Sequence, residues 1–304
     1  MADKPSRALV LYGDGLARFI GPAQTHLHAF ASQACCGFLA LPNSPPSENE
    51  DMRTIRELAE LLDSNEAYSN VDAKELFDDK PTVAERFMGM KAAIITNNSN
   101  LKSFGDKLGF TVLNWNDSFH NSQSASEFPS VASGLLRLLG FQEGKTLDAS
   151  QFDLVFVHVG ANGKINNHKD VELLNHLVGE LVNFAQPGSD ISSRLHMSVI
   201  MSYGTTLSDD HLKFLVPEPK NNGELSLLIP RQSYTMKGGK PRENIRQYCP
   251  MLLAQYQNAV TRKDMVKTFS FSDFFENGAN LVIPADRFLH EVAFKLWKAP
   301  KYGA

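Results

Sequence analysis

Cysteine is scarce in this chain: there are three in 304 residues, and two of them, Cys35 and Cys36, are adjacent. Adjacent cysteines rarely bridge, and an odd, low count builds no disulfide framework, so reduced thiols of a cytosolic type are expected. Basic charge is not in excess either. Lysine and arginine total 30 against 34 aspartates and glutamates, a formal net charge of −4. That balance argues against nucleic-acid binding and against polybasic attachment to a membrane. No apolar run approaches the roughly 20 residues a membrane span needs. The opening residues Met1–Arg7 lack the apolar stretch of a secretory signal. A cytoplasmic protein is the expectation. Gly-x-Gly-x-x-Gly, P-loop, Gly-x-Ser-x-Gly and paired-cysteine zinc patterns are all missing, which removes the commonest nucleotide, hydrolase-elbow and zinc readings.

What is present is an alternation of short apolar runs and amphipathic stretches. Ala8–Tyr12 is wholly apolar and closes on Gly13-Asp14-Gly15, as a strand buried on both faces would. Further strands are expected at Phe38–Leu41, Ala92–Thr96, Phe110–Trp115, Asp153–Val159, His196–Met201 and Leu225–Ile229. Helices are expected at Pro22–Gly37, Met52–Leu62, Thr82–Met90, within Asn97–Gly109, and at Val131–Leu139, Val171–Ala185, His211–Leu215 and Leu289–Lys298. Asn43–Asp51, Asp117–Glu127 and Gly238–Glu243 read as polar breaks. The alternation predicts an α/β fold: a doubly wound, mostly parallel sheet with helices on both faces. Ligands of such folds bind beyond the carboxyl ends of the strands. One domain over 1–304 is expected, with room for a reduced insertion at about 64–150.

Asp14 stands where an apolar strand meets a glycine turn, at the mouth of the sheet. It reads as a metal-binding carboxylate or as the cap of the next turn. Gln24–Pro42 follows, then a loop carrying Ser44 and Ser47 ahead of the helix at Met52. A hydroxyl at a helix start suits phosphate chemistry, whereas Ser47 with Glu50 three positions later also reads as a capping box. Phe152–Asp170 carries His158 and His168, and Ser198–Leu207 ends a strand in Ser202-Tyr203-Gly204-Thr205-Thr206. Met265–Val282 is an aromatic-rich block, and the chain closes on Lys301-Tyr302-Gly303-Ala304.

In order and spacing these blocks resemble the alkaline phosphatase superfamily, and within it the archaeal-type cofactor-independent phosphoglycerate mutases. The resemblance implies an alkaline-phosphatase-like fold, with an aromatic strand, an acidic helix and a glycine turn over Met265–Val282, a nucleophilic serine or threonine (here Ser47), and two metal ions held by aspartates and histidines. Most of those ligand positions carry other residues. Lys164 replaces the aspartate four residues before His168, Asn162 and Asn166 are neutral amides, and Ser202-Tyr203-Gly204-Thr205 stands where the family has Gly-Asp-His-Ser/Thr. Glu224, Leu225 and Ser226 stand where a histidine is expected. Asp14 and His168 remain as metal ligands and Ser47 as nucleophile, while Asp209, Asp210 and His211 either substitute for lost ligands or cap a helix. Two ligands do not make a two-metal clamp.

The expected function is therefore that of a catalytically degenerate superfamily member that binds a small phosphorylated ligand or a protein partner. The alternative is a metal-dependent phosphoesterase or phosphomutase rearranged around Asp14, Ser47 and His168. The expected cofactor is none, or a single Mn, Mg or Zn ion. Neither nucleic acid nor membrane is an expected partner. Two weaker readings stand beside these. Ile94–Asn98 resembles a haloacid-dehalogenase strand end but lacks that family's Asp-x-Asp. Arg231, Lys237, Lys240 and Arg242 flank Gly238-Gly239 as a metal-free anion cradle or a flexible basic turn.

Overall fold

Strand β1 (Arg7–Asp14) lies at the centre of the molecule, with all eight of its residues buried. The computed structural model describes residues 6–45, 48–65, 81–115, 128–142, 144–147, 149–160, 167–205, 214–215, 236–237, 240–241, 244–246, 248–279 and 282–300. Around β1 stand β2 (Cys35–Ala40), β3 (Ala92–Ile95), β4 (Thr111–Leu113), β5 (Leu154–Gly160), β6 (Leu195–Met201), β7 (Met251–Tyr256) and β8 (Val282–Pro284). The sheet order is β8-β2-β7-β6-β1-β5-β3-β4. Strand β1 pairs in parallel with both β5 and β6, Asp14 opposite Gly160 and Gly13 opposite Met201. Only β7 runs against its neighbours β6 and β2. The sheet is mixed and mostly parallel.

The helices that cover it are α1 (Thr25–Ala31), α2 (Glu50–Leu61), α3 (Ser99–Lys107), α4 (Phe128–Leu138), α5 (Asn167–Phe184), α6 (Phe271–Asn277) and α7 (Phe288–Lys295). Side chains alternate along a strand, so β1 feeds two cores. Leu9 and Leu11 enter one with Phe30, Leu135, Leu174 and Phe274, from α1, α4, α5 and α6. Ala8, Val10 and Tyr12 enter the other with Leu58, Leu101, Leu289 and Val292, from α2, α3 and α7. Helices on both faces are what the continuous apolar runs of β1 and β5 require, because neither run has a face fit for water. Each fully buried leucine or phenylalanine stabilises by roughly 1.5–3 kcal/mol over its exposed state.

Several expected boundaries move. The helix expected at Pro22–Gly37 stops at Ala31, and Cys35–Ala40 is strand. Strand β7 had no counterpart in the reading of the sequence. The block Met265–Val282 opens irregular rather than with the aromatic strand expected in it and leads into α6, with Phe269 and Phe274 in the core. The Gly238–Glu243 break falls at a short hairpin, Met236–Lys237 against Lys240–Pro241. The described part of 64–150 supplies β3, β4, α3 and α4 to this same sheet and its layers. The expected strand Leu225–Ile229 and the loop Asp117–Glu127 lie outside the described residues, as does most of the expected helix His211–Leu215. No helix among the described residues is long and apolar enough to cross a membrane.

Candidate functional site

Period-two geometry assembles the site. The residues of β1 that face α2 are Ala8, Val10 and Tyr12, and Asp14 continues that row at the strand's carboxyl end. In β5 the same face carries Leu154 and Phe156 and then His158. Ile200 of β6 leads to Ser202, and Ala92 and Ile94 of β3 lead to Thr96. Four neighbouring strand ends thus aim a carboxylate, an imidazole and two hydroxyls at the first turns of α2. That helix begins at Asn49, whose side chain accepts from Met52 N, and it presents Glu50, Arg53 and Glu57 on one stripe.

Arg53 closes the arrangement. Its Nη1 lies 2.7 Å from Asp14 Oδ1 and 2.7 Å from Glu57 Oε2. Its Nη2 donates to Glu50 Oε1 at 2.6 Å and to Thr54 Oγ1 at 3.1 Å, and its Nε donates to Glu50 Oε2 at 3.0 Å. Thr205, just beyond β6, donates its hydroxyl to Glu50 Oε2. Ser202 Oγ donates to Asp14 Oδ1 at 3.2 Å and accepts from Gly15 N at 2.9 Å and Tyr12 OH at 3.4 Å. Tyr12 OH also lies 3.3 Å from Glu57 Oε2, so its single proton is shared between the two acceptors. His158 Nε2 lies 3.4 Å from Asp14 Oδ2, and its Nδ1 lies 3.0 Å from Thr96 Oγ1. Since Thr96 Oγ1 accepts from Asn98 N, its own proton is available to Nδ1, which turns the Nε2 proton toward Asp14. Arg246 Nη2 reaches Glu57 Oε1 at 3.4 Å and donates to Cys249 O.

Burial makes this pairing obligatory. Asp14 is 2% exposed, Arg53 3% and Glu57 0%. An isolated ion at such depth is strongly disfavoured, and removing one partner of a buried pair leaves the other uncompensated. Burial alone pushes the Asp14 carboxyl up, but the Arg53 guanidinium and the His158 bond outweigh it and hold the group below its usual range. Burial likewise opposes the charge on Arg53, yet Asp14 and Glu57 keep it firmly protonated. Burial, with the nearby charges of Asp14 and Glu57, raises the Tyr12 phenol far above its ordinary value, so it serves as a neutral donor. Glu50, partly exposed, is held low mainly by Arg53 against the opposing effect of burial.

Among the described residues, those around Asp14 do not fit a divalent cation. Asp14 Oδ1 already meets Arg53 and Ser202, and Oδ2 meets His158. Among the described residues no group of three or more histidines, cysteines, aspartates or glutamates is placed to hold a metal ion. The local cation is a side chain instead; Asp14, Arg53 and Glu57 are buried, while Glu50 and Thr205 at the edge of the cluster are exposed.

Of the metal ligands and nucleophile expected from sequence, Asp14 and His168 fall among the described residues. His168 sits exposed in the first turn of α5 with its ring 5.3 Å from that of Phe19, and it is His158 that meets Asp14. Ser47 lies outside the described residues. The helix cap expected there belongs to Asn49, and Glu50 turns to Arg53 and Thr205. Arg231 and Arg242 are also outside the described residues, as are Lys164, Asp209, Asp210 and His211, while Lys237 and Lys240 are described as hairpin backbone only. The sequence reading missed Arg53 and Glu57. Their signal was present: an i, i+4 pair of opposite charge on the first helix after a strand-end aspartate.

No protein-family model matches the sequence, and no curated protein does. Solved structures resemble it in fold. The PH0037 protein from Pyrococcus horikoshii aligns with a TM-score of 0.57 at 11% identity, over 99% of this chain and 99% of that one. The lipoteichoic acid synthase LtaP from Listeria monocytogenes aligns with a TM-score of 0.53 at 13% identity, over 99% of this chain and 74% of that one. The cofactor-independent phosphoglycerate mutase from Thermoplasma acidophilum covers 95% of this chain and 99% of its own at 9% identity, with a TM-score of 0.48. At such identities the likeness is one of fold, and the first two carry it. Together with the mixed sheet flanked on both faces, the chain has the alkaline-phosphatase-like α/β fold.

Proposed function

We propose that this protein is a catalytically degenerate relative of the alkaline phosphatase superfamily that works by binding, with a small phosphorylated ligand or a protein partner as its counterpart. One observation carries the reading. Where the resemblance puts a metal ion beside Asp14, the guanidinium of Arg53 lies 2.7 Å from that carboxylate and 2.7 Å from Glu57. A guanidinium neutralises the carboxylates but supplies no open coordination position at which an attacking or leaving oxygen is activated. Ser202 is buried and donates to the Asp14 carboxylate, which Arg53 and His158 hold below its usual range and so leave too weak a base to free the hydroxyl as a nucleophile.

The test is calorimetric titration of the purified chain with Mn²⁺, Mg²⁺ and Zn²⁺, alongside turnover of a generic phosphate monoester. The expected result is no saturable metal binding and no hydrolysis. Tight Mn²⁺ or Zn²⁺ binding that disappears in Asp14→Ala, accompanied by ester cleavage, would overturn it in favour of a metal-dependent phosphoesterase.

A further inference from the structure

A second cluster of arginines lies at the other end of the loop that enters α2. Ser44 is exposed, and its Oγ accepts from Arg56 Nη2 at 3.0 Å and from Arg246 Nη1 at 3.4 Å. The contact is held from both sides. Asn43 N donates to Asn244 O and Arg246 N to Leu41 O, with a β-bridge between Pro42 and Ile245, so main-chain bonds fix Ser44 over Arg246. Arg56 enters from α2 and is tethered by Glu48 in a two-pronged ion pair, Oε1 accepting from its Nε and Oε2 from its Nη2 at 2.9 Å.

Neither guanidinium is saturated. Arg56 is 5% exposed and Arg246 4%. Arg56 Nη1 and Arg246 Nε are closed to solvent with no hydrogen-bond partner among the described residues. Two deeply buried guanidiniums, paired with Glu48 and Glu57 but each with one donor to spare, thus converge on one neutral hydroxyl at the surface. Both lone pairs of that hydroxyl are taken by the arginines, and its proton is the one valence left. A tetrahedral dianion there offers three strong acceptor oxygens, which matches planar, multi-donor guanidinium groups.

We propose that Ser44 is the seat of a phosphate-monoester group gripped by Arg56 and Arg246, the dianion displacing Glu48 from Arg56. The site uses neither Asp14 nor Arg53 and stands whether or not the reading of that cluster holds. The phosphate has two sources. A free phosphorylated ligand sets its phosphate beside the hydroxyl. Alternatively a separate kinase acts on Ser44, which is presented in the proline-flanked sequence Pro42-Asn43-Ser44-Pro45. In that case the terminal P–O bond of a nucleoside triphosphate breaks, a P–O bond forms at Ser44 Oγ, and the nucleoside diphosphate and the hydroxyl proton leave.

Two measurements on the full chain separate the sources. The unmodified protein is titrated calorimetrically with inorganic phosphate at constant ionic strength, against chloride. A chain carrying phosphoserine at position 44 is followed by ³¹P NMR against pH. Saturable phosphate binding, weakened roughly tenfold in Arg246→Gln, identifies the free source, the loss being that of a charged hydrogen bond. A phosphoserine whose second ionisation falls clearly below its ordinary value of about 6 identifies the covalent source, because two guanidiniums favour the dianion. The NMR reading needs no arginine variant and so survives if Arg246→Gln fails to fold. An ordinary phosphoserine ionisation together with no phosphate binding overturns the proposal.

Discussion

Arg53 Nη1 lies 2.7 Å from Asp14 Oδ1, and both side chains are closed to solvent. The pair joins the last residue of the central strand to the first turns of α2, and Glu57 shares the same nitrogen at 2.7 Å. A cation that sits on two buried carboxylates is a fixed part of the fold, and its removal strands both of them.

Arg53→Met is therefore expected to cost about 3–5 kcal/mol, the range for breaking one side of a buried ion pair. Asp14→Asn in the same background should cost less than it does alone, with a coupling energy of about 1–3 kcal/mol for residues in direct contact. Urea unfolding of the four proteins in the cycle reads both numbers. Strict additivity would mean that the two side chains do not depend on each other.

Acid should weaken the fold in two separate windows. His196, at the start of β6, is fully buried; that burial, with Lys295 nearby, pushes its imidazole down from 6.5 to about 3. The unfolded chain binds the proton first, so this contribution is complete above pH 6.5 and declines as pH falls toward 3, by at most about 1.4 kcal/mol per pH unit. Asp14 behaves as a depressed carboxyl. Its stabilisation is present above its ordinary value of 3.8 and is lost as pH falls further toward its folded value. Unfolding free energies from pH 7 to 4 for the wild type and His196→Gln should diverge in slope by close to one proton. Identical slopes would place His196 elsewhere than in the buried sheet.

Gly160 is a backbone requirement rather than a loose end. It has φ of +110°, and a Cβ built there would lie 2.4 Å from the carbonyl oxygen of Asp14. Gly160→Ala is expected to destabilise by about 1–3 kcal/mol through strain at that conformation. It should also disturb the Asp14–His158 contact, read as a shift of the His158 ring resonances. A neutral substitution would show that β1 and β5 separate easily at this end.

The layers were legible because Ala8–Tyr12 and Leu154–Val157 are apolar without interruption, and a strand covered on both faces uses such a run. Strand β2 was harder to place. Ala34, Cys35, Cys36 and Gly37 are small and suit helix or strand alike, so helix α1 was read through them. Strand β7, MLLAQY, carries the buried polar Gln255, which bonds His196 and Ser198, and local periodicity cannot foresee partners so distant in sequence. The same limit applied at the site. Asp14 was legible from its strand end. Arg53 and Glu57 were not, because helical spacing marks a polar stripe on α2 without telling whether water or four strand ends will cover it.

A counter-ion built into the polypeptide cannot be chelated, exchanged or withheld. The carboxyl end of β1 is tied to α2 as soon as the chain folds, by a bond that needs nothing from the surrounding solution.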